Sequence, residues 1–413
     1  MYETFYHNLP NGVQIVHRLT SSPVVYVGIM IGAGTRHEQP EENGMAHYIE
    51  HCLFKGTEHY TARQIINHIE GIGGEINAYT TKEETTFYAA TLSNHFRTTL
   101  HLLADMVLRP TFNKKETDKE VTVILDEIES YNDSPSELIY DDFENMIFEG
   151  SSLAMPILGT KKTLRRISKS PQYPLNWMAK HYRPERMVLF VQGNVSTKQV
   201  IAAAEKELLA SSPDRPIDYS PSPIAYSPSP IAYSRTYKRH THQTHVMLGS
   251  HTYPIGHPKQ LTMFLLNNIL GGGSMSSRLY LSLREKYGLV YNIDSQAVPL
   301  SDTGYWDIYL ACEPQHKDQC LELCHKELQT LREVRLTSAQ LQRALRQLEG
   351  QLAISAENQE NNALAMAKQM LYHHRAPQWQ ETFAKVQKIT PEQLQDVANE
   401  VFAPDKIYTL LYD

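Results

Sequence analysis

The sequence predicts an α+β protein with two similar domains, each a largely antiparallel sheet packed with helices. The chain has 413 residues, which is more than one hydrophobic core usually accommodates. A proline-rich stretch interrupts it near the middle, and the order strand, helix, hairpin, helices, strand occurs on both sides of that stretch. We therefore predict an N-terminal domain at 1–212, a linker at 213–234 and a C-terminal domain at 235–413.

Composition narrows the class of partner and the compartment. The net charge is −7 with both signs mixed along the chain, which argues against a nucleic-acid partner, because such proteins carry a basic face. The four cysteines form no Cys-x-x-Cys pair, which favours a reducing compartment. The first residues lack a secretory signal pattern, and no apolar run is long enough to span a membrane. We expect a cytoplasmic protein with no membrane partner.

The first half combines β-rich runs with helical spacing. Its predicted elements are two strands within 11–32, a short helix near residue 50, a hairpin within 71–92, helices at 95–108 and 114–131, further helices within 135–210 and a strand at 187–191. Next comes a linker in which Tyr-Ser-Pro-Ser-Pro-Ile-Ala occurs twice, at 219–225 and 226–232. Its prolines favour an extended connector; a proline-rich recognition peptide is the alternative.

The second half repeats this order. After a strand-like stretch following the linker, its predicted elements are helices at 259–270 and 276–286, β-rich stretches up to Cys312, helices at 316–333, 337–375 and 391–401, and a strand at 407–411. The repetition suggests an internal duplication, although the identity between the halves is too low to prove one.

The short helix near residue 50 carries the first candidate site. His47 and His51 are four residues apart, so a helix places them one above the other, and Glu50 precedes the second. This order reverses the more common His-Glu-x-x-His zinc motif. Asn43 is available as the N-cap, and Gly56 can end the helix. The alternative is a solvated polar face.

A catalytic zinc ion usually has three protein ligands, and two histidines with a glutamate are a known set. The helix at 114–131 offers two carboxylates for the third position. Glu120 and Glu127 are seven residues apart and share one face, so either could point at the histidine helix. The alternative is that they only make the helix soluble.

The run at 271–295 carries a second candidate site. Its three glycines lack the residues of a phosphate-binding loop. Arg284 and Tyr291 are hydrogen-bond donors that could polarise a carbonyl group and stabilise an oxyanion. The alternative is a surface ion pair and a packed aromatic ring.

Four stretches together resemble a known family: GMAHYIEHCLFKGT, GGEINAYTTKEETTFYA, VILDEIESYNDSP and GGGSMSSRLYLSLREKYGLVY. The chain is similar to the pitrilysin, insulin-degrading enzyme and mitochondrial processing peptidase family of inverted-motif zinc peptidases, or inverzincins. It looks most like the bacterial processing-peptidase-like members. The matches follow in order through nearly the whole chain, although the linker repeat is unfamiliar and Cys52 stands where an apolar residue is usual.

The resemblance implies a role for each site residue. His47, His51 and Glu127 are the implied ligands of one Zn²⁺ per chain. Glu120 is implied to support these ligands without binding the ion itself. Glu50 is the implied general base. Asn77 and Ala78 lie where an edge strand receives the substrate backbone, and Arg284 and Tyr291 match the pair that contacts the substrate carbonyl.

The sequence thus predicts a zinc metalloendopeptidase that acts on peptides or unstructured segments. The alternative is an inactive family member that serves as a structural or partner subunit. Family members enclose substrate between facing halves, so two domains correspond to half of a clamshell. We therefore expect a homodimer in which Arg284 and Tyr291 reach the zinc site of the partner subunit.

Overall fold

The computed structural model describes residues 3–209, 232–239 and 241–413, which form two compact units. The first unit comprises Met1–Glu129, Met155–Ala225 and Ser355–Pro377; the second comprises Ser130–Ala154, Tyr226–Ile354 and Gln378–Asp413. The predicted linker at 213–234 lies, up to residue 231, outside the described residues. Its boundaries stay a prediction.

The elements are numbered here in chain order. The strands are β1 (Thr4–Asn8), β2 (Gln14–Leu19), β3 (Val24–Ile31), β4 (Glu75–Thr80), β5 (Thr85–Leu92), β6 (Met187–Gly193), β7 (Ser234–Tyr237), β8 (Thr244–His251), β9 (Val290–Pro299), β10 (Gly304–Cys312) and β11 (Tyr408–Tyr412). The helices are α1 (Met45–Leu53), α2 (Ala62–Glu70), α3 (Phe96–Leu108), α4 (Lys114–Asn132), α5 (Pro135–Ile147), α6 (Lys161–Ile167), α7 (Gln172–His181), α8 (Thr197–Leu208), α9 (Gln260–Leu270), α10 (Lys317–Glu333), α11 (Ser338–Ser355), α12 (Gln359–His373), α13 (Trp379–Val386) and α14 (Pro391–Val401).

The sheet of the first unit has the order β1-β2-β6-β3-β5-β4. The β2–β6 pair is parallel and the others are antiparallel. The predicted hairpin at 71–92 is confirmed as β4 and β5, which are joined by the turn at 81–84. Because β4 lies at an edge, one side of its backbone is unpaired within the described sheet.

This sheet is buried on both faces. Ile29 and Phe87 pack with α1 and α3 on one face, whereas Met30 and Phe190 face α12 on the other. From α12 come Ala363, Met366, Ala367 and Met370. Burial on both faces explains why β6 is apolar without alternation.

The helix α12 also corrects the prediction of one long helix at 337–375. The chain leaves the helical path between Ser355 and Gln359, and the Asn358 side chain accepts a hydrogen bond from Asn361 N at 3.0 Å, capping α12. The halves of the predicted helix belong to different units, α11 to the second and α12 to the first.

The sheet of the second unit has the order β7-β11-β8-β10-β9, with β9 at an edge. Phe143 of α5 packs on one face against Met247 and Tyr305. On the other face, Trp306 and Ile308 pack with residues of α9, α10 and α14. The predicted helix at 276–286 is instead a π-helical segment, Tyr280–Lys286.

The predicted fold class is confirmed: both units are α+β, with largely antiparallel sheets covered by helices. Within the described part of the chain, we find no helix with the length and apolar character needed to cross a membrane.

Candidate metal centre

The helix that carries the histidines begins in an unusual way. The predicted N-cap, Asn43, is wrong: Gly44 occupies that position with a φ of 88°, and a Cβ there would lie 2.8 Å from Gly159 Cα. The N–H groups of the first turn are instead held by Glu38, which is buried. Its carboxylate accepts hydrogen bonds from Gly44 N at 2.8 Å and from Ala46 N at 2.7 Å.

Asn43 takes part in this cap indirectly. Its Nδ2 donates to Glu38 at 3.3 Å and to Pro156 O at 2.9 Å. Burial raises the pKa of Glu38 to about 8, although the hydrogen bonds from Ala46 N, Gly44 N and Asn43 oppose that rise, so the side chain caps the helix mainly by accepting these hydrogen bonds. The start of α1 at Met45 is therefore fixed by a residue seven positions before it.

The structure brings His47, His51 and Glu127 together. Their ligand atoms lie within 4.8 Å of one another, the one group of three such residues found in the described part of the chain. The imidazole centroids of His47 and His51 are 4.6 Å apart. Glu127 Oε2 lies 3.7 Å from His47 Nε2 and 3.5 Å from His51 Nε2.

These distances fit a shared zinc ion better than direct hydrogen bonds, which are usually about 2.9 Å long. Zinc–ligand bonds of about 2.0–2.2 Å in a tetrahedron separate neighbouring ligand atoms by about 3.4 Å. The donor set of two imidazoles and one carboxylate also suits zinc. These residues therefore fit the metal.

Glu120 lies behind His51 rather than at the ligand position. Its Oε2 is 3.2 Å from His51 Nδ1, and its Oε1 is 2.7 Å from Lys55 Nζ. Donation from Nδ1 to this carboxylate leaves the Nε2 lone pair of His51 free for a metal. The sequence allowed either glutamate as third ligand; the geometry favours Glu127.

Glu50 is held from the adjacent hairpin. Thr80 Oγ1, at the end of β4, donates to Glu50 Oε2 at 2.5 Å. Burial raises the pKa of Glu50 above its usual value, and the Thr80 hydrogen bond opposes that rise. Glu50 thus stands beside the ligands with its carboxylate oriented by a neighbour.

The other ionisable groups influence one another strongly. Burial and the neighbouring His51 together lower the pKa of His47 to about 4, although Glu127 opposes the shift. Burial also lowers the pKa of His51, but Glu127, Glu120 and Glu50 together raise it above its usual value. His51 in turn holds the pKa of Glu127 below its usual range. A neutral His47 has a lone pair available for a metal.

Cys52 does not compete as a ligand. It is buried, and burial raises the pKa of its thiol to about 12. A buried neutral thiol is a poor metal ligand, because the thiolate is the form that binds metals.

Asn77 and Ala78 lie on the edge strand β4. Ala78 packs against the core cluster that includes α1, whereas Asn77 is exposed. Thr80 on the same strand contacts Glu50, so this edge runs beside the metal ligands.

Arg284 and Tyr291 belong to the second unit. The Arg284 guanidinium lies over the rings of Tyr280 and Tyr291, 4.8 and 5.2 Å from their centroids, and donates to the Tyr280 hydroxyl. Tyr291 is 75% exposed. Tyr291 is thus available at the surface of its unit, and Arg284 is half-buried beside it.

Sequence reasoning missed Glu38, Lys55 and Thr80. Glu38 resembles an ordinary acidic loop residue, and the contact between Thr80 and Glu50 joins positions 30 apart. Lys55 carried a usable signal, because it follows His51 by one helical turn and can reach the same neighbour.

Comparison with known proteins identifies the family of the chain. Residues 14–161, which include all three candidate ligands, match the family model described as Insulinase (Peptidase family M16), and residues 174–348 match Peptidase M16 inactive domain. An uncharacterized zinc protease of Bacillus subtilis, YmxG, is 32% identical over 410 residues, covering 97% of this chain and 96% of that protein. An uncharacterized zinc protease of Streptomyces coelicolor is 32% identical, covering 95% of this chain and 86% of that protein.

Solved structures extend the likeness to the fold. A protease from Helicobacter pylori superposes with a TM-score of 0.91 at 20% identity, covering 100% of this chain and 99% of that one. A peptidase M16 inactive domain from Pseudomonas fluorescens gives 0.90 at 20% identity, covering 99% and 97%. The names of the sequence relatives support a zinc-dependent, peptidase-like function. The chain belongs to the insulinase family of zinc peptidases, peptidase family M16.

Proposed function

We propose that this chain is a zinc metalloendopeptidase that hydrolyses peptides or unstructured polypeptide segments, with one zinc ion per chain. The observation that carries the proposal is the convergence of His47, His51 and Glu127 on one point, with Glu50 held beside them. Three protein ligands, a carboxylate base and an edge strand are together what such a reaction requires.

His47, His51 and Glu127 would hold the ion. Zinc bound in this way lowers the pKa of water and polarises a carbonyl group. Glu50 accepts the proton of the water that attacks the peptide carbonyl, then donates it to the leaving amine. Thr80 orients the Glu50 carboxylate for both transfers, and Glu120 keeps His51 in the tautomer that binds metal.

Substrate binds as an added strand along β4. The free edge of that strand at Asn77 and Ala78 supplies backbone donors and acceptors next to Glu50. An extended peptide can use them along its length, whereas most strands of a folded protein are already paired on both sides. The enzyme therefore selects unfolded segments.

Arg284 and Tyr291 act on the substrate carbonyl. Both are donors, and the stacking of the guanidinium on the Tyr291 ring keeps them together on the surface of the second unit. Hydrogen bonds aimed at the developing oxyanion stabilise the transition state more than the ground state.

The chain acts as a homodimer that encloses substrate, and Arg284 and Tyr291 serve the zinc centre of the partner subunit. Two inactive variants test this arrangement. Glu50→Gln and Tyr291→Phe chains, refolded together, regain part of the wild-type activity if the residues meet across the dimer, because one of the two sites is then intact. A mixture as inactive as its components, or an active monomer on gel filtration, contradicts it.

The central experiment compares wild type with Glu50→Gln on a quenched fluorescent peptide. The variant retains zinc but loses about 10²–10⁴-fold in kcat, since it lacks the proton acceptor. Glu58→Gln, an exposed position close by in the chain, is the matched control and keeps its activity. Cleavage that persists in Glu50→Gln removes the proposed base. A wild type that binds zinc but cleaves no peptide favours the structural-subunit alternative.

A further inference from the structure

A buried carboxylate without a partner lies in the second unit, apart from every residue used above. Asp307, on β10, is fully buried, and neither of its oxygens has a hydrogen-bond partner among the described residues. Burial, and after it the charge of Asp294, raises the pKa of Asp307 well above its usual value, and the Gln296 amide, opposite it on β9, partly offsets that rise. An unpartnered carboxylate at this depth is costly unless a proton or a bound cation neutralises it.

Two further acidic residues, Asp294 and Glu144, lie with Asp307 in the layer between the sheet and α5. Asp307 lies on the face of the sheet that also carries Tyr305 and Tyr309 and that packs on α5. Asp294, two residues from Gln296 on β9, is its diagonal neighbour on the same face. Glu144 approaches from α5. The charges that act most strongly on Asp307 are therefore both negative.

Hydroxyl groups line the same layer. Tyr305 donates to Glu144 Oε1 at 2.8 Å, and Tyr140 of α5 hydrogen-bonds Asp294. Neither Asp294 nor Asp307 forms an ion pair with any lysine or arginine in the described ranges. The nearby His245 has its pKa lowered by burial and its Nδ1 lies 2.9 Å from the Tyr309 hydroxyl, so it supplies no positive charge at neutral pH.

We propose that Asp307 and Asp294 bind a hard divalent cation of the calcium type between β9, β10 and α5. The carboxylate and hydroxyl groups named in this layer are oxygen donors, a type that suits calcium and disfavours zinc or copper. Calcium tolerates six to eight oxygen ligands in irregular arrangements, including water and hydroxyl groups. Glu144 joins through water, because the three carboxylates are not all within the 4.8 Å that direct ligation by one ion requires. Asp294 is half-buried on an edge strand and gives the ion a route in.

Terbium luminescence tests the site on the zinc-loaded full-length chain, so that the histidine centre is already occupied. Tb³⁺ replaces Ca²⁺ in oxygen sites, and the surrounding tyrosines sensitise its emission. We expect saturable emission at one ion per chain that Ca²⁺ displaces, and a rise in Tm with Ca²⁺. Asp307→Asn weakens binding at least about tenfold, since loss of even an indirect metal contact costs about 10–100-fold.

Two more variants keep the test decisive if Asp307→Asn folds poorly. Asp294→Asn, at a half-buried position, loses the Ca²⁺ response to a similar extent, whereas Asp318→Asn, an exposed acid on α10, keeps it. The proposal is overturned if wild type shows neither saturable emission nor a Ca²⁺-dependent Tm. Stabilisation of the Asp307→Asn chain in calcium-free buffer, with no Ca²⁺ response in wild type, would assign a proton rather than a cation to Asp307.

Discussion

In the first unit, three buried carboxylates lie against several donors each. Glu38 receives two backbone N–H groups and the Asn43 amide, and Glu120 lies between His51 and Lys55. Glu84, in the turn next to β4, accepts from Lys368 at 2.7 Å and from Tyr372 at 2.7 Å. These contacts fix the helix, the ligand and the hairpin before any substrate binds.

The second unit holds its polar groups differently. Tyr291 is exposed and Arg284 is half-buried, and they are held by the contacts of the guanidinium with the Tyr280 and Tyr291 rings and with the Tyr280 hydroxyl. Asp307 is buried without a hydrogen-bond partner in the described part of the chain. A rigid metal centre needs ligands that neighbouring residues hold in place by hydrogen bonds before the metal binds. Residues that contact a peptide or an ion only after it has bound do not need such support.

Among the variants that distinguish the supported residues of the first unit from the exposed Tyr291 of the second, Tyr291→Phe is expected to have the largest effect. If Tyr291 donates to the oxyanion, kcat falls about 10²–10³-fold. Zinc affinity and Tm stay at wild-type values, because the hydroxyl of this exposed residue supports nothing else. Peptide cleavage, chelator competition and thermal unfolding measure the three quantities. The control is Tyr287→Phe, at an exposed tyrosine on the same stretch. Equal activity of the two variants would contradict a role of the Tyr291 hydroxyl in stabilising the oxyanion.

Glu120→Gln tests whether a hydrogen-bonded neighbour supports the metal ligands of the first unit. Removing the charge behind His51 weakens zinc binding about 10–100-fold, as for other partners of metal-ligating histidines. Competition with a fluorescent chelator measures the affinity, and activity returns at saturating zinc. Glu116→Gln, one turn earlier on α4 and paired with Lys119, serves as the control. Unchanged affinity in Glu120→Gln would show that the hydrogen bond to His51 does not support the metal.

The smallest effect is expected for Glu38→Gln. The amide keeps one acceptor but turns an N–H group toward the first turn of α1, so a helix cap is partly lost. We expect a decrease of about 1 kcal/mol in the free energy of unfolding. Urea unfolding of Glu38→Gln and of the exposed neighbour Glu41→Gln measures the difference. A stability equal to that of the control means that Gly44 and Gly159 alone define the helix start.

Local spacing made the centre predictable. His47 and His51 are one turn apart and Glu120 and Glu127 two turns apart, so helical periodicity alone placed each pair on one face. The residues could not decide which glutamate binds, because that depends on how α4 lies against α1. The contacts of Thr80 and Glu38 with the helix could not be predicted for the same reason, because strand ends and loops meet the helix only after folding.

The break between α11 and α12 had a local signal that periodicity obscured. Apolar residues continue at helical spacing on both sides, and Asn358 is an ordinary cap residue in a polar stretch. Nothing local indicates that the two helices join different units. That assignment depends on which sheet face remains to be covered.

The position of α12 in the chain has a consequence for biosynthesis. Domains emerging from the ribosome generally fold in order from the N-terminus. Every candidate zinc ligand is made within the first 127 residues, but Met30, Val188 and Phe190 stay uncovered until α12, at 359–373, has been translated. The first unit therefore completes its core only late in translation, although its candidate zinc ligands are synthesised early. A nascent chain carries all of these ligands long before the unit that holds them has folded completely.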